Sequence, residues 1–211
     1  NNFLFSFLSL YLLLPNLLVA QNFTEETALT YPPTESPTSI FATDMDGDGD
    51  VDVLSASEDD DKIAWYENDG NGYFIPHIIS TSIQTASSVY AKDIDGDGDM
   101  DVLSASRDDH KIAWHENDGN ENFTYHLIST AVNRPESVYA EDVDGDGDMD
   151  VLSASRHDDK IAWYENDGNE NFTEHIISIV ANGASCVYAE DVDGDGDMDV
   201  LSASRYDDKI A

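Results

Sequence analysis

The sequence predicts an all-β fold, a β-propeller of four-stranded blades, and three observations carry that prediction. One aspartate-rich stretch recurs four times, starting at residues 44, 93, 142 and 191, a period of 49. Each period holds four short runs of β-branched, aromatic or alternating residues separated by turn formers. Both faces of these runs are semi-apolar, as in a sheet sandwiched between two neighbours. Units of about 40 to 50 residues with four strands apiece mark a propeller, one unit to a blade. A linear β-solenoid is excluded, because its calcium repeats run to about nine residues with a Gly-Gly-x-Gly-x-Asp texture that is absent here.

The third unit shows each element in order. Ser137-Val138-Tyr139-Ala140-Glu141 alternates as a first strand and runs into the aspartate loop. Val151-Leu152-Ser153-Ala154-Ser155 follows as a second strand, closed by an Asp-rich turn at Arg156-His157-Asp158-Asp159. In the third strand, Ile161 and Trp163 share one face and Ala162 and Tyr164 the other. Asn166-Asp167-Gly168 is a hairpin signal, and the run from Asn171 to Ser178 makes the outer strand. The expected units are residues 39–85, 86–134 and 135–183, with 184–211 an incomplete fourth.

The aspartate loop carries the chemistry. Asp44, Asp46, Asp48, Asp50 and Asp52 alternate over nine residues, with Gly47 and Gly49 between them. The copies are Asp93, Asp95, Asp97, Asp99 and Asp101, then Asp142, Asp144, Asp146, Asp148 and Asp150, then Asp191, Asp193, Asp195, Asp197 and Asp199. Five like charges this close repel one another, and a hard cation with six to eight oxygen ligands relieves them, so one Ca²⁺ is expected per repeat, four in all. Side chains at the first, third and fifth positions are the expected inward ligands, with the seventh residue's backbone carbonyl and the ninth residue closing the shell. Gly49 permits the sharp turn with positive φ. An EF-hand is excluded, because the twelfth position is Ser55, Ser104, Ser153 or Ser202 instead of a bidentate Glu, and no helix pattern follows.

Charge narrows the partners. Acidic residues number 45 against 9 basic ones, a formal charge of −36, and twenty of the acids are loop aspartates. Four divalent cations would leave a strong negative excess, which disfavours nucleic acid and anionic membrane and favours cations or a basic partner surface. Residues 1–20 are an uncharged apolar run with Pro15 and a terminal Ala20, the pattern of a secretory signal whose start lies upstream of this sequence. An uncleaved anchor is the alternative, the one route to a membrane. Polar residues 21–38, with Pro32, Pro33 and Pro37, read as a linker. Export suits calcium loops, and the expected location is secreted or cell-surface.

Little else points to chemistry. His77, His126 and His175 recur on the outer strand, one per blade, and read as structural. His110, His115 and His157 are unmatched between copies and are expected to be exposed. Trp65, Trp114 and Trp163 recur at the same period and read as packing between blades. Arg107, Arg156 and Arg205 stand beside acidic turns and read as surface ion pairs. Cys186 takes the place of Ser39, Ser88 and Ser137, a small-residue swap with no partner thiol. Asn22, Asn122 and Asn171 head Asn-Phe-Thr sequons, acceptors for glycans in a eukaryotic secretory route. No nucleophile elbow, zinc-protease motif or phosphate loop is present, so no catalytic residue is assigned.

The loop Asp-x-Asp-Gly-Asp-Gly-Asp-x-Asp-Val, followed by Trp-Tyr-Glu-Asn-Asp-Gly-Asn-x-x-Phe, resembles the FG-GAP/VCBS repeat of secreted and cell-surface proteins. Integrin α-subunit propellers carry related loops. The resemblance covers residues 39–211 and implies a calcium-bound propeller, with each loop joining the first and second strands of a blade. Relatives commonly have seven blades, so the units here are expected to be part of such a ring. The implied role is adhesion or recognition of an extracellular protein or glycan without catalysis. A propeller portion of a polysaccharide-acting or other hydrolytic enzyme is the alternative, because fold does not fix function.

Overall fold

The computed structural model describes residues 34–211. The expected signal segment 1–20, most of the linker and the Asn22 sequon lie outside the described residues. The first blade is a sheet of β1 (Pro37–Thr43), β2 (Asp52–Ser57), β3 (Lys62–Asn68) and β4 (Phe74–Ser80). The second comprises β5 (Ala86–Lys92), β6 (Asp101–Ser106), β7 (Lys111–Asn117) and β8 (Phe123–Ser129). The third comprises β9 (Pro135–Glu141), β10 (Asp150–Ser155), β11 (Lys160–Asn166) and β12 (Phe172–Ser178). The fourth has β13 (Ala184–Glu190), β14 (Asp199–Ser204) and β15 (Lys209–Ile210). Each sheet is an antiparallel meander in sequence order, and the blades form the predicted propeller. β1 opens at Pro37, two residues ahead of the expected first unit.

The second strand of each of the first three blades is nearly all buried because neighbours cover both its faces, whereas β14 of the fourth blade is mostly half-buried. The shared Asp-Val-Leu-Ser-Ala-Ser sequence supplies small and branched residues that fit between stacked sheets. Leu54 lies opposite Phe41 on one side and Trp65 on the other. The core sits between blades. Trp65, Leu54 and Ile63 of the first blade pack with Ile83, Val89 and Val102, which belong to the second blade and the link leading to it. Trp114, Leu103 and Ile112 pack likewise with Val138, Val151 and Tyr164.

The innermost strands touch across blades. Phe41, Tyr90, Tyr139 and Tyr188 form a continuous ring stack with centroids 4.5, 4.8 and 4.6 Å apart. Hydroxyls tie the same strands. Ser39, Ser88 and Ser137 Oγ accept the backbone N–H of Val89, Val138 and Val187 in the following blade, at 3.3, 3.2 and 3.4 Å. Thr38 and Ser87 Oγ donate onward to the carbonyls of Ala86 and Pro135 at 2.7 Å each. Cys186 is exposed.

One histidine departs from expectation. His115 is buried, 2% exposed, because it occupies the third-strand position held by Tyr66 and Tyr164 in the neighbouring blades. Its Nε2 meets Ser104 Oγ at 3.2 Å and its ring packs edge-on against Tyr125. Burial pushes its pKa down to about 4. His110 and His157 are exposed.

Candidate metal centre

All four aspartate loops join the first and second strands of their blades. Their glycines hold positive φ, 76° and 97° at Gly47 and Gly49, which turns the chain back on itself. The turn gathers carboxylates. Asp44, Asp46 and Asp48 place oxygens within 4.8 Å of one another, as do Asp142, Asp144 and Asp146. In the second and fourth loops the third member is the ninth residue: Asp93, Asp95 and Asp101, and Asp191, Asp193 and Asp199. The first and third positions belong to the cluster in every repeat.

Backbone amides brace these groups. Both oxygens of Asp44 accept loop N–H groups, from Gly47 at 2.9 Å and Gly49 at 3.0 Å, and Asp93, Asp142 and Asp191 repeat the pattern. The fifth residue, Asp48, accepts the N–H of Asp50.

The seventh residue stands apart. Asp50 turns its side chain toward the following Asn-Asp-Gly turn, so a Cβ on Gly70 would sit 2.5 Å from Asp50 Oδ2. The same closeness recurs between Asp148 and Gly168. None of Asp50, Asp99, Asp148 and Asp197 joins a carboxylate cluster through its side chain.

The ninth residue is a hub. Asp52, Asp101 and Asp150 are fully buried. Asp101 Oδ2 accepts the N–H of Ile94 and Oδ1 that of Asn117, both at 2.8 Å. Asp52 and Asp150 do the same with Met45 and Asn68, and with Val143 and Asn166. Burial still wins over these bonds, raising the Asp101 pKa to about 7 and that of Asp150 as well. Asp199 is exposed, with Oδ2 on the N–H of Val192.

The donor set suits a hard divalent cation. Each cluster is all-oxygen, carboxylate-rich and bent by glycines, and at Asp101 a buried carboxylate lacks a positive neighbour. Burial is also the first cause of raised pKa values at Asp46, Asp95 and Asp144, with Coulomb repulsion from neighbouring loop carboxylates adding to it. A cation beside these groups would favour their ionised forms.

The sequence reading missed Asn68, Asn117 and Asn166. Besides the N–H bond to the ninth aspartate, their side-chain amides donate to the carbonyls of Val51, Met100 and Met149 within the loop. The Asn-Asp-Gly turn thus braces the aspartate loop. The signal was its constant offset of 16 residues from the ninth aspartate.

The other candidates take structural places. His77, His126 and His175 stack on Trp65, Trp114 and Trp163 at 4.4, 4.5 and 4.6 Å, and their Nε2 atoms meet Glu67, Glu116 and Glu165. Arg107 spans three blades, bonding Glu58 at 2.9 Å and Glu136 at 2.6 Å. Arg156 meets Glu136 and the Tyr206 hydroxyl. The Ser104–His115 contact is buried in the core, with Ser104 at 0% and His115 at 2% exposure. Asn122 and Asn171 are exposed and donate to Asp118 and Asp167.

The FG-GAP-like repeat model matches residues 44–104, 93–153 and 142–202. A lectin of Agrocybe aegerita, described as recognising non-reducing terminal N-acetylglucosamine, superposes with a TM-score of 0.54 and 18% identity over 78% of this chain. The biofilm matrix protein Bap1 of V. cholerae gives 0.45 and 18% identity over 80% of this chain. The chain spans 47% of the lectin and 28% of the matrix protein. No curated protein matches the chain by sequence. With the repeat matched over well more than half of the sequence, and its loops and sheets in register, the chain belongs to the FG-GAP-like repeat family.

Proposed function

We propose that the chain is an exported, calcium-stabilised propeller that recognises an extracellular protein or glycan and performs no catalysis. The carboxylate clusters carry this reading: four loops, one per repeat, each gather three carboxylates within 4.8 Å. Calcium is the favoured ion because its shell is large, flexible and oxygen-based, whereas magnesium demands a tight octahedron. In each loop the first, third and fifth aspartates hold the ion through side chains, the seventh through its backbone carbonyl, and the ninth helps close the shell. Repetition of the set in every blade fits a structural ion, since a catalytic metal needs one site with an open position. Export and recognition rest on the apolar N-terminal run and on the lectin-like fold, and the non-catalytic reading rests on the repetition of one carboxylate cluster in every blade and on the absence of a recognised catalytic motif in the sequence.

Calcium titration of Asp146→Ala against the parent chain, by calorimetry at neutral pH, tests the assignment. The parent should take up about four ions with Kd of order 10⁻⁴ to 10⁻³ M, and the variant one fewer. Unchanged stoichiometry in Asp146→Ala contradicts the ligand assignment.

A further inference from the structure

We propose that the outward faces of the first and fourth blades dock head to tail on a second copy of this chain. The junctions between blades show what such faces are built to meet. Between the second and third blades, Leu103, Ala105 and Ile112 pack against Val138 and Ala140, all 4% exposed or less. The period of 49 repeats these positions on the two outward faces, where they lie open.

On the first blade Ile40 is 75% exposed, whereas its equivalents Val89, Val138 and Val187 are 4%, 4% and 3% exposed. Ala42 is exposed, whereas Ala91, Ala140 and Ala189 are buried. On the fourth blade Ile210 is 84% exposed, against 0%, 0% and 1% for Ile63, Ile112 and Ile161. Leu201 is half-buried where Leu54, Leu103 and Leu152 are fully buried. Both faces are thus open among the described residues.

The repeat makes the two faces complementary. The first blade shows the surface that each later blade turns to the blade before it. The fourth shows the surface that each earlier blade turns to the blade after it. One copy's fourth blade therefore fits another copy's first blade in a heterologous junction, with the register of the internal ones. An unrelated partner would have to reproduce that register. Tyr188, 45% exposed, would continue the ring stack onto Phe41 of the second copy, as Tyr139 continues onto Tyr188 within the chain. Cys186 would face the Ile40 N–H of the second copy, the role that Ser39, Ser88 and Ser137 play for Val89, Val138 and Val187. A thiol is the weaker acceptor. Burial of these apolar faces drives docking, and the charge of −36 opposes it.

Sedimentation of the full chain over a concentration series tests this, in about 1 mM calcium and about 0.15 M salt to screen the exposed charge. The parent should associate, and Ile40→Asp and Ile210→Asp should each weaken association tenfold or more by placing a carboxylate in the junction. Both side chains are exposed in the single copy, so the circular dichroism of the variants should overlay that of the parent. An equimolar mixture of the two variants should regain dimers, since one keeps an intact fourth blade and the other an intact first. Cys186→Ser should tighten association at least twofold, and reductant should leave the parent's association unchanged. A parent that stays monomeric overturns the proposal. Association that survives both substitutions overturns it, as would be seen if the apolar run 1–20 were the cause. Loss in only one variant would mean that like faces meet like, and it overturns head-to-tail docking, as does a mixture that stays monomeric. Association abolished by reductant overturns it in favour of a disulfide through Cys186.

Discussion

At the scale of single residues, His115 shows what a substitution within a repeat does. Its neighbours at the same position, Tyr66 and Tyr164, are uncharged when buried, whereas His115 must also stay neutral to remain there. With a folded pKa near 4 against about 6.5 unfolded, the unfolded chain binds a proton that the folded chain refuses. His115 therefore contributes full stability above pH 6.5 and loses it as pH falls toward 4, up to about 3 kcal/mol. Ser104, Tyr125 and His126 face the ring, and His126 reinforces the depression. Replacing His115 by the tyrosine of the adjacent blades should make melting less sensitive to acid over pH 6.5 to 4, in saturating calcium. Parallel pH profiles for the two chains would contradict the buried neutral assignment. The period made the burial of His115 legible, because position 49 residues away on either side is an aromatic core residue. The expectation of exposure came from treating a mismatch between copies as a surface signal, when packing constrains the site whatever occupies it.

At the scale of elements, the inner strands are held by groups whose roles no sequence pattern announces. Alternation and turn residues located the strands and the loops that join them, since burial on both faces and glycine-dependent turns leave marks in the sequence. The hydroxyl bonds between blades leave none, because Ser39, Ser88 and Ser137 look like any small residue between sheets. For the same reason the split among the loop aspartates was only partly legible. Spacing marked all five per loop, while burial of the ninth, and its bonds to the loop and the Asn-Asp-Gly turn, depends on contacts across the blade. Ser88→Ala should leave the buried N–H of Val138 without an acceptor and cost about 1–3 kcal/mol. Urea unfolding measures it, and a cost within about 0.5 kcal/mol, as for an ordinary surface change, would mean that the bond does not tie the blades.

At the scale of the whole molecule, the charge excess and the single unpaired cysteine set a problem that calcium held in the loops would answer. A chain at −36 repels itself, and its lone cysteine, Cys186, is unpaired. Calcium in the loops would reduce the repulsion and tie the carboxylates of each hairpin. At about 1 mM Ca²⁺ and Kd of 10⁻⁴ to 10⁻³ M, mass action gives about 0.4–1.4 kcal/mol per site. Four independent sites would contribute about 2–6 kcal/mol, a large part of the 5–15 kcal/mol typical of a domain. Magnesium should replace it poorly, because it dehydrates reluctantly and needs a smaller shell.

Differential scanning calorimetry of the chain in 1 mM calcium, and again in excess chelator at the same pH and ionic strength, tests this most directly. The account predicts that chelation lowers the melting temperature by at least several degrees, and that calcium restores it where magnesium does not. Superimposable transitions with and without chelator would mean that the four loops are acidic turns that hold no ion.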